Sequence, residues 1–377
     1  MHVVIAPDKF KGSLNASQVA EHLAQPMRGA GIQVSTIPMA DGGEGTVEAA
    51  VSAGFRRVSH HVTGPLGNQI EAAYAWDPHG GRAVIEMALA SGLMLTEGTD
   101  DHAKRATSRG TGELIAHALD AGATHIILGV GGSACTDGGA GMLQALGAQV
   151  YDASSRPLPD GGTALQQAAG VDLSHLHPKL SSATVTLAAD VDNPLLGPRG
   201  AAKVYAPQKG ALPDTVQQLE AGLTRWAGLL VEAGWASPEA ATDPGAGAAG
   251  GVGYAALTVL AARRRPGVDV VLELTQFLER ARGASLVITG EGSLDSQSLH
   301  GKTPIGVARA AAQIGVETVA VAGQSKLSHQ QVRDAGFIDL YQIVDLAPNT
   351  HSAMTQAGAW LSELAQAIIT DHLQETR

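Results

Sequence analysis

Leu286-Val287-Ile288-Thr289-Gly290 is a short apolar, β-branched run that ends in glycine, and Pro304 to Ile314 behind it carries a helical pattern. Thr318-Val319-Ala320-Val321-Ala322-Gly323 then repeats the strand texture. Leu327 to Ala335 reads as a short helix, Leu340 to Val344 as a strand, and Ser352 to Leu373 as a long closing helix. Short unbroken apolar runs alternating with helices mark strands buried on both faces of a parallel sheet. Pro304 suits a helix's first turn, where its missing N–H costs nothing.

The N-terminus has the same texture. Val3-Val4-Ile5-Ala6 is a buried-strand run, and Ala16 to Arg28 spaces Val19, Leu23 and Met27 along one helix face, with Asn15 or Ser17 available as cap. Gln33 to Ile37 is a second strand and Glu44 to Ala53 a second helix. Residues from about 60 to 280 are less regular. There Ile70 to Trp76, Ala83 to Met87, His125 to Val130 and Ser182 to Ala188 read as strands, and Arg109 to Ala121 as a helix. The expected fold is α/β with two domains. A discontinuous flavodoxin-like, doubly wound parallel sheet comes from both chain ends, residues 1–60 and 283–377, and an inserted α/β domain with glycine-rich anion loops spans 61–282. Strand order 2-1-3-4-5 puts the crevice between the first and third strands, at their carboxyl ends. The first runs into Pro7-Asp8-Lys9-Phe10-Lys11-Gly12-Ser13 and the third into Gly290-Glu291-Gly292-Ser293-Leu294-Asp295-Ser296-Gln297, so these two loops are expected to face each other.

Composition narrows the function. In 377 residues, Lys+Arg 25 against Asp+Glu 36 gives −11, which disfavours non-specific binding to nucleic acid or anionic membrane. Aromatics are only 3%, too few for base-stacking platforms. The one cysteine excludes a disulfide framework and a cysteine-cluster zinc site. The N-terminus lacks a basic, then apolar, leader, so a cytoplasmic protein is expected. Gly245 to Ala262 is uncharged and reads as a glycine loop followed by a buried helix, with Arg263-Arg264-Arg265 at that helix's negative end and Pro266 as breaker. His60-His61 and His175-x-His177 lack metal-motif spacing and read as surface or turn residues.

The loops carry the chemistry. Lys9 and Lys11, with Gly12 and Ser13 before a helix, suit a phosphate or carboxylate. Pro38 to Thr46 places Asp41 and Glu44 among three glycines, where they can reach a metal or substrate hydroxyls; Asp41 is equally a plain helix cap. Gly129 to Gly141 follows a strand and precedes a helix. Its repeated glycines let amides converge on an anion, with Ser133, Thr136 and Asp137 as added ligands. It lacks the P-loop pattern. Cys135 has no base nearby in sequence, so it is not read as a nucleophile. Asp190 ends an apolar run and is the best single candidate for a metal ligand or general base. Gly301-Lys302-Thr303 resembles a lysine-bearing anion loop entering a helix. Anion loops, loop lysines and loop carboxylates together are what phosphoryl transfer requires. Amides and lysines neutralise phosphate oxygens, Mg²⁺ bridges them, and a carboxylate orients or deprotonates the attacking hydroxyl.

Ala6 to Leu14, Pro38 to Thr46, Gly110-Thr111-Gly112-Glu113-Leu114-Ile115, Gly131 to Gly141, Asp190 to Gly197, Pro207 to Ala211, Pro244 to Gly253 and Gly290 to Gly306 resemble, in order, the motifs of the bacterial type 1 glycerate kinase family. The resemblance covers nearly the whole chain. It implies phosphorylation of D-glycerate with ATP and Mg²⁺, 2-phosphoglycerate being the favoured product, in a cleft between two α/β domains. On that basis Lys11, Ser13 and loop amides are expected to hold glycerate's carboxylate, with Asp8, Asp41 and Glu44 also on the substrate side. Asp190 is expected as base or metal ligand, with Lys11 beside it in the catalytic set. Gly131, Gly132, Ser133, Asp137, Gly138 and Lys302 are assigned to ATP's phosphates, and Glu291 and Asp295 to Mg²⁺. Four positions depart from the family's usual residues: Lys9 stands where serine is usual, Cys135-Thr136 where Thr-Asn is commoner, and Ser293 where arginine is common. With that arginine gone, Lys11 or Lys302 must steady the transferring phosphoryl group. Glycerate and ATP are the expected partners, nucleic acid and membrane are not, and a homo-oligomer stays open. Two other readings remain: a kinase for another small hydroxy acid, and a non-catalytic sensor of a phosphorylated metabolite. The number of loop carboxylates favours catalysis, since a passive anion receptor gains nothing from negative charge nearby.

Overall fold

The computed structural model describes residues 1–296 and 298–373. Gln297, the last residue of the loop quoted above, and residues 374–377 of the expected C-terminal segment lie outside them. The strands in chain order are β1 (His2–Ile5), β2 (Gln33–Thr36), β3 (Arg56–Thr63), β4 (Gln69–Asp77), β5 (Arg82–Glu86), β6 (His125–Gly129), β7 (Gln149–Asp152), β8 (Ala168–Asp172), β9 (Thr184–Ala188), β10 (Arg263–Arg265), β11 (Leu286–Leu294), β12 (Thr318–Ser325) and β13 (Asp339–Gln342). The chain divides into two compact units. One comprises Met1–Asp41, Glu48–Ala53 and the chain from Pro266 onward; the other comprises Gly42–Val47 and Gly54–Arg265.

The first unit is a five-stranded sheet in the order β13-β12-β11-β1-β2, with every neighbouring pair parallel. Counted within the unit, that is the order 2-1-3-4-5. Its strands are apolar throughout because both faces are covered. Val3, Ile5, Leu286 and Ile288 turn to one face, against Val19, Leu23, Met27, Leu361 and Leu364. Val4, Ala6 and Val287 turn to the other, against Val271, Phe277, Val307 and Ala311. Full burial of side chains such as Leu23 and Met27 contributes roughly 1.5–3 kcal/mol each. The helix Ala16–Gly29 starts in a capping box: Asn15 Oδ1 accepts from Gln18 N at 2.8 Å, and Gln18 Oε1 accepts from Asn15 N at 3.0 Å. Residues 266–282 pack in this unit, since the helices Gly267–Leu274 and Phe277–Ala281 place Val271, Phe277 and Ala281 against the sheet.

In the second unit the order is β10-β9-β6-β5-β4-β3. β10, β9, β6 and β5 run parallel, while β4 and β3 add an antiparallel edge. β7 and β8 form a separate antiparallel pair. No helix among the described residues is long and apolar enough to cross a membrane.

Three expectations are corrected. Arg263-Arg264-Arg265 does not close a helix: the helix Ala248–Thr258 ends earlier, Ala261 reverses the chain at φ 49°, and the arginines pair with Thr186, Leu187 and Ala188 as the sheet's edge strand. The third strand of the first unit does not stop at Gly290 but continues to Leu294, because β12 extends alongside it and pairs Ser293 with Gln324. The final helix is broken at Gln356, which ends Thr350–Thr355 and precedes Ala357–Ile368.

Candidate active-site loops

In the first unit the chain keeps pairing with β11 beyond β1. Ala6 N donates to Ile288 O at 2.7 Å and Asp8 N to Gly290 O at 2.8 Å. Asp8 therefore arrives level with Gly290 and Glu291, as the strand order predicts. Its carboxylate is buried, and it accepts from Lys9 N at 2.7 Å and from Thr303 Oγ1 at 2.6 Å. Burial, then the Asp41 charge, pushes the Asp8 carboxyl up to about 7 against the pull of Lys9 and Thr303. Glu291 is also raised by burial, with Asp41 and Asp295 adding to the shift and Ser298 and Lys302 opposing it. Its Oε1 is buried without a hydrogen-bond partner. Asp295 and Ser298 hold each other, the Asp295 N–H donating to Ser298 Oγ at 3.1 Å and the Ser298 N–H to Asp295 Oδ1 at 3.2 Å. Lys302 caps the helix Thr303–Gln313. A Cβ on Gly292 would lie 3.2 Å from Lys11 N, so the two loops touch backbone to backbone. The expected residues Asp8, Asp41, Glu291, Asp295 and Lys302 thus form one electrostatically linked group. Ser13 leaves it: its hydroxyl donates to Met354 O at 2.6 Å.

Among the described residues, no three acidic, histidine or cysteine side chains are grouped to cage a metal ion. Mg²⁺ usually takes only one or two carboxylates and fills its octahedron with water and substrate phosphate. A buried Glu291 oxygen lacking a donor fits that use.

The Asp8 shift has a sign that stability measurements can read. Unfolded, this carboxyl loses its proton near pH 3.8; folded, near about 7. The native state holds the extra proton between those values, so this group's contribution to stability falls as pH rises through that window and is flat above it. The wild-type urea midpoint is expected to fall relative to that of Asp8→Asn from about pH 4 to about pH 7. A difference constant across that range contradicts the assignment.

In the second unit, register places Glu86 beside Gly129, Gly129 beside Ala188, and Ala188 beside Arg265. All four sit at the carboxyl ends of parallel strands, so the loops that follow share one edge. Glu86 is buried, and its Oε2 accepts from Gly45 N at 3.2 Å and Val47 N at 3.0 Å, which fixes the loop carrying Glu44. Gly131 N donates to Gly42 O at 3.4 Å, and a Cβ on Gly131 would lie 2.5 Å from Gly43 Cα. Only glycine allows that approach. A Cβ on Gly132 would stand 3.6 Å from Glu44 Oε1, so Glu44 borders the glycine-rich loop. Asp190, two residues past Ala188, is exposed at the same edge.

Behind this front the loop is pinned. Asp137 is 1% exposed, and its carboxylate accepts from Ser108 N and Oγ at 2.8 Å each, Gly139 N at 3.1 Å and Gly141 N at 3.3 Å. Ser108 Oγ in turn accepts from Met142 N at 2.8 Å. Asp137 therefore organises the loop rather than adding a ligand in front of it. Gly138 lies at the back too, its carbonyl accepting from Trp226 Nε1 at 3.0 Å. Burial drives the Cys135 thiol well above its ordinary pKa, against nucleophilic use. Lys209 is 2% exposed and donates to Ser133 Oγ at 3.0 Å and Cys135 O at 2.5 Å. Glu86, Ser108 and Lys209 were not singled out from sequence. Glu86 carried a usable signal, an acid ending the apolar run Ala83-Val84-Ile85, the same signal that marks Asp190.

Known proteins resemble this chain along its length. The model of the glycerate kinase family matches residues 3–373. A glycerate kinase from Bacillus subtilis (strain 168) is 44% identical over 371 residues, 98% of this chain and 97% of that protein. A glycerate 2-kinase from Escherichia coli (strain K12) is 43% identical over 350 residues, 91% of each chain. The crystal structure from Salmonella typhimurium LT2 assigned as glycerate kinase 2 superposes with a TM-score of 0.81 at 41% identity and covers 98% of both chains.

Proposed function

This chain belongs to the glycerate kinase family, and on that premise we infer that it transfers the γ-phosphoryl group of ATP to the 2-hydroxyl of D-glycerate. Phosphorylation of glycerate is the activity of the family; the nucleotide, the metal and the position phosphorylated are the proposal. The carrying observation is the Asp8–Glu291 group: a buried carboxyl raised to about 7 beside a buried carboxylate oxygen with no donor. Such a group gains most from an arriving divalent cation. Glu291 and Asp295 would hold Mg²⁺, which when bound neutralises charge on the phosphate oxygens.

Asp190 takes the glycerate hydroxyl's proton as the new P–O bond forms and the bond to ADP breaks. Gly131, Gly132 and Ser133 offer the front of the glycine-rich loop to the phosphates, and Lys302 adds a cation. Lys11 receives the glycerate carboxylate, while Asp8, Asp41 and Glu44 accept from hydroxyls or order the cation. Ser13 is dropped from this role, because its proton already serves Met354 O. That the reaction takes place where the two units meet belongs to this proposal. What supports it is that each unit carries only part of the chemistry. A cytoplasmic location likewise remains a proposal.

Initial rates of ADP formation with glycerate, tartronate and lactate test the substrate. D-Glycerate is expected to give a kcat/KM at least about tenfold above the others, since losing one hydrogen-bonding group from a matched site costs about that much or more. A higher value for tartronate or lactate would reassign the enzyme to another hydroxy acid. Ligand binding without any ADP formation would make the protein a sensor.

A further inference from the structure

We infer that the buried Lys209 ammonium is the positioning residue of the glycine-rich loop, fixing its backbone at Ser133 and Cys135 and supplying the local positive charge that ATP's phosphates meet. The inference rests on the reading that this loop holds phosphate. Lysine is almost never buried without a charged partner. Lys209 is 2% exposed, yet both oxygens it donates to, Ser133 Oγ at 3.0 Å and Cys135 O at 2.5 Å, are neutral. Asp137 lies close enough to act on it electrostatically, but that carboxylate already accepts from Ser108, Gly139 and Gly141.

The ammonium cannot swing out to water. Pro207–Lys209 is a tight turn, Lys209 N donates to Ala206 O at 3.0 Å, and a Cβ on the next residue, Gly210, would lie 1.9 Å from Gly98 O. The backbone on both sides is therefore held. A fixed, dry cation under an anion loop, hydrogen-bonded only to neutral oxygens and balanced through space by Asp137, gains from an arriving anion. In a chain of net charge −11, where longer-range attraction is unfavourable, such a local charge matters more.

Linkage follows. Burial lowers the Lys209 pKa while Cys135 and Asp137 oppose the shift, and a bound phosphate favours the protonated form. Nucleotide affinity should therefore fall as pH rises through the lysine's pKa in the free protein. Of the groups facing this turn, the Cys135 thiol is pushed well up, and Asp100, bound to Leu212 N and paired with Lys104, is held at about 2.

The test uses the full chain and its Lys209→Met and Lys209→Arg variants, with ADP as probe, from about pH 6 to about pH 9.5. Lys209→Met is expected to weaken ADP binding and raise KM for ATP at least about tenfold, the loss of a charged hydrogen-bond donor. KM for glycerate should change less than about twofold, and the alkaline fall in ADP affinity should disappear. Lys209→Arg should recover part of the affinity. A folded Lys209→Met protein with wild-type ADP affinity at every pH overturns the inference. If Lys209→Met does not fold, calorimetry of the wild type decides: proton uptake on ADP binding at alkaline pH supports it, and none overturns it. Hydrogen exchange separates this from the loop reading. ADP protection of amides 131–136 combined with wild-type affinity in Lys209→Met sinks Lys209 alone; no protection there sinks the loop reading and this inference with it.

Discussion

Asp190→Asn is expected to lower kcat by at least about a hundredfold, the low end for removing a general base. Three observations meet at this residue. It follows β9, whose last residue Ala188 is in register with Gly129 at the start of the glycine-rich loop. It is exposed at the carboxyl edge of four parallel strands, where a substrate can reach it. And two nearby carboxylates serve the scaffold: Asp137 is spent on loop donors, and Glu86 on the amides of Gly45 and Val47. Asparagine keeps the shape and can accept a hydrogen bond, but it cannot carry the hydroxyl's proton. KM for ATP should therefore change little while kcat collapses. Near-normal turnover would remove Asp190 from the mechanism.

Asp137→Ala is expected to cost about 3–5 kcal/mol of stability, the range for stripping one partner from a buried charged network. The substitution orphans Ser108 N, Ser108 Oγ, Gly139 N and Gly141 N in a place water does not reach, since Asp137 is 1% exposed. The loop and the helix Arg109–Asp120 are tied together through those bonds. Urea unfolding of the variant should show a lower midpoint with little change in slope. Asp137→Asn should cost less, because its oxygen still accepts from part of the set. An unfolding free energy within about 0.5 kcal/mol of wild type for Asp137→Ala would mean the network is not structural.

These residues show where the sequence was legible and where it was not. The first unit could be read because short apolar runs near each chain end have few alternatives to a two-faced parallel sheet, and its strand order then follows from connection rules. The meeting of Asp8 with Glu291 came with that order. Gly290 misled at the strand's end. It resembles a loop glycine, but in the fold its missing side chain admits Val321 O, 1.9 Å from where a Cβ would lie. The run Arg263-Arg264-Arg265 misled because charge suggests a helix terminus, whereas an edge strand also tolerates it. Within the second unit, sequence could name the glycine-rich loop but not which face of it points forward. Asp137 and Gly138 turned out to lie at its back, and Lys209, quoted only within the Pro207 to Ala211 motif, lies beneath it. Such facts depend on which long-range partners arrive, and spacing along the chain does not encode them.

The most direct test of the whole account is the ³¹P spectrum of a reaction containing this protein, D-glycerate, ATP and Mg²⁺. The account predicts a new phosphomonoester resonance that grows in step with ADP and is split into a doublet by the single proton on C2. A triplet would move the phosphate to the C3 hydroxyl, and ATP unchanged after prolonged incubation would contradict the account outright.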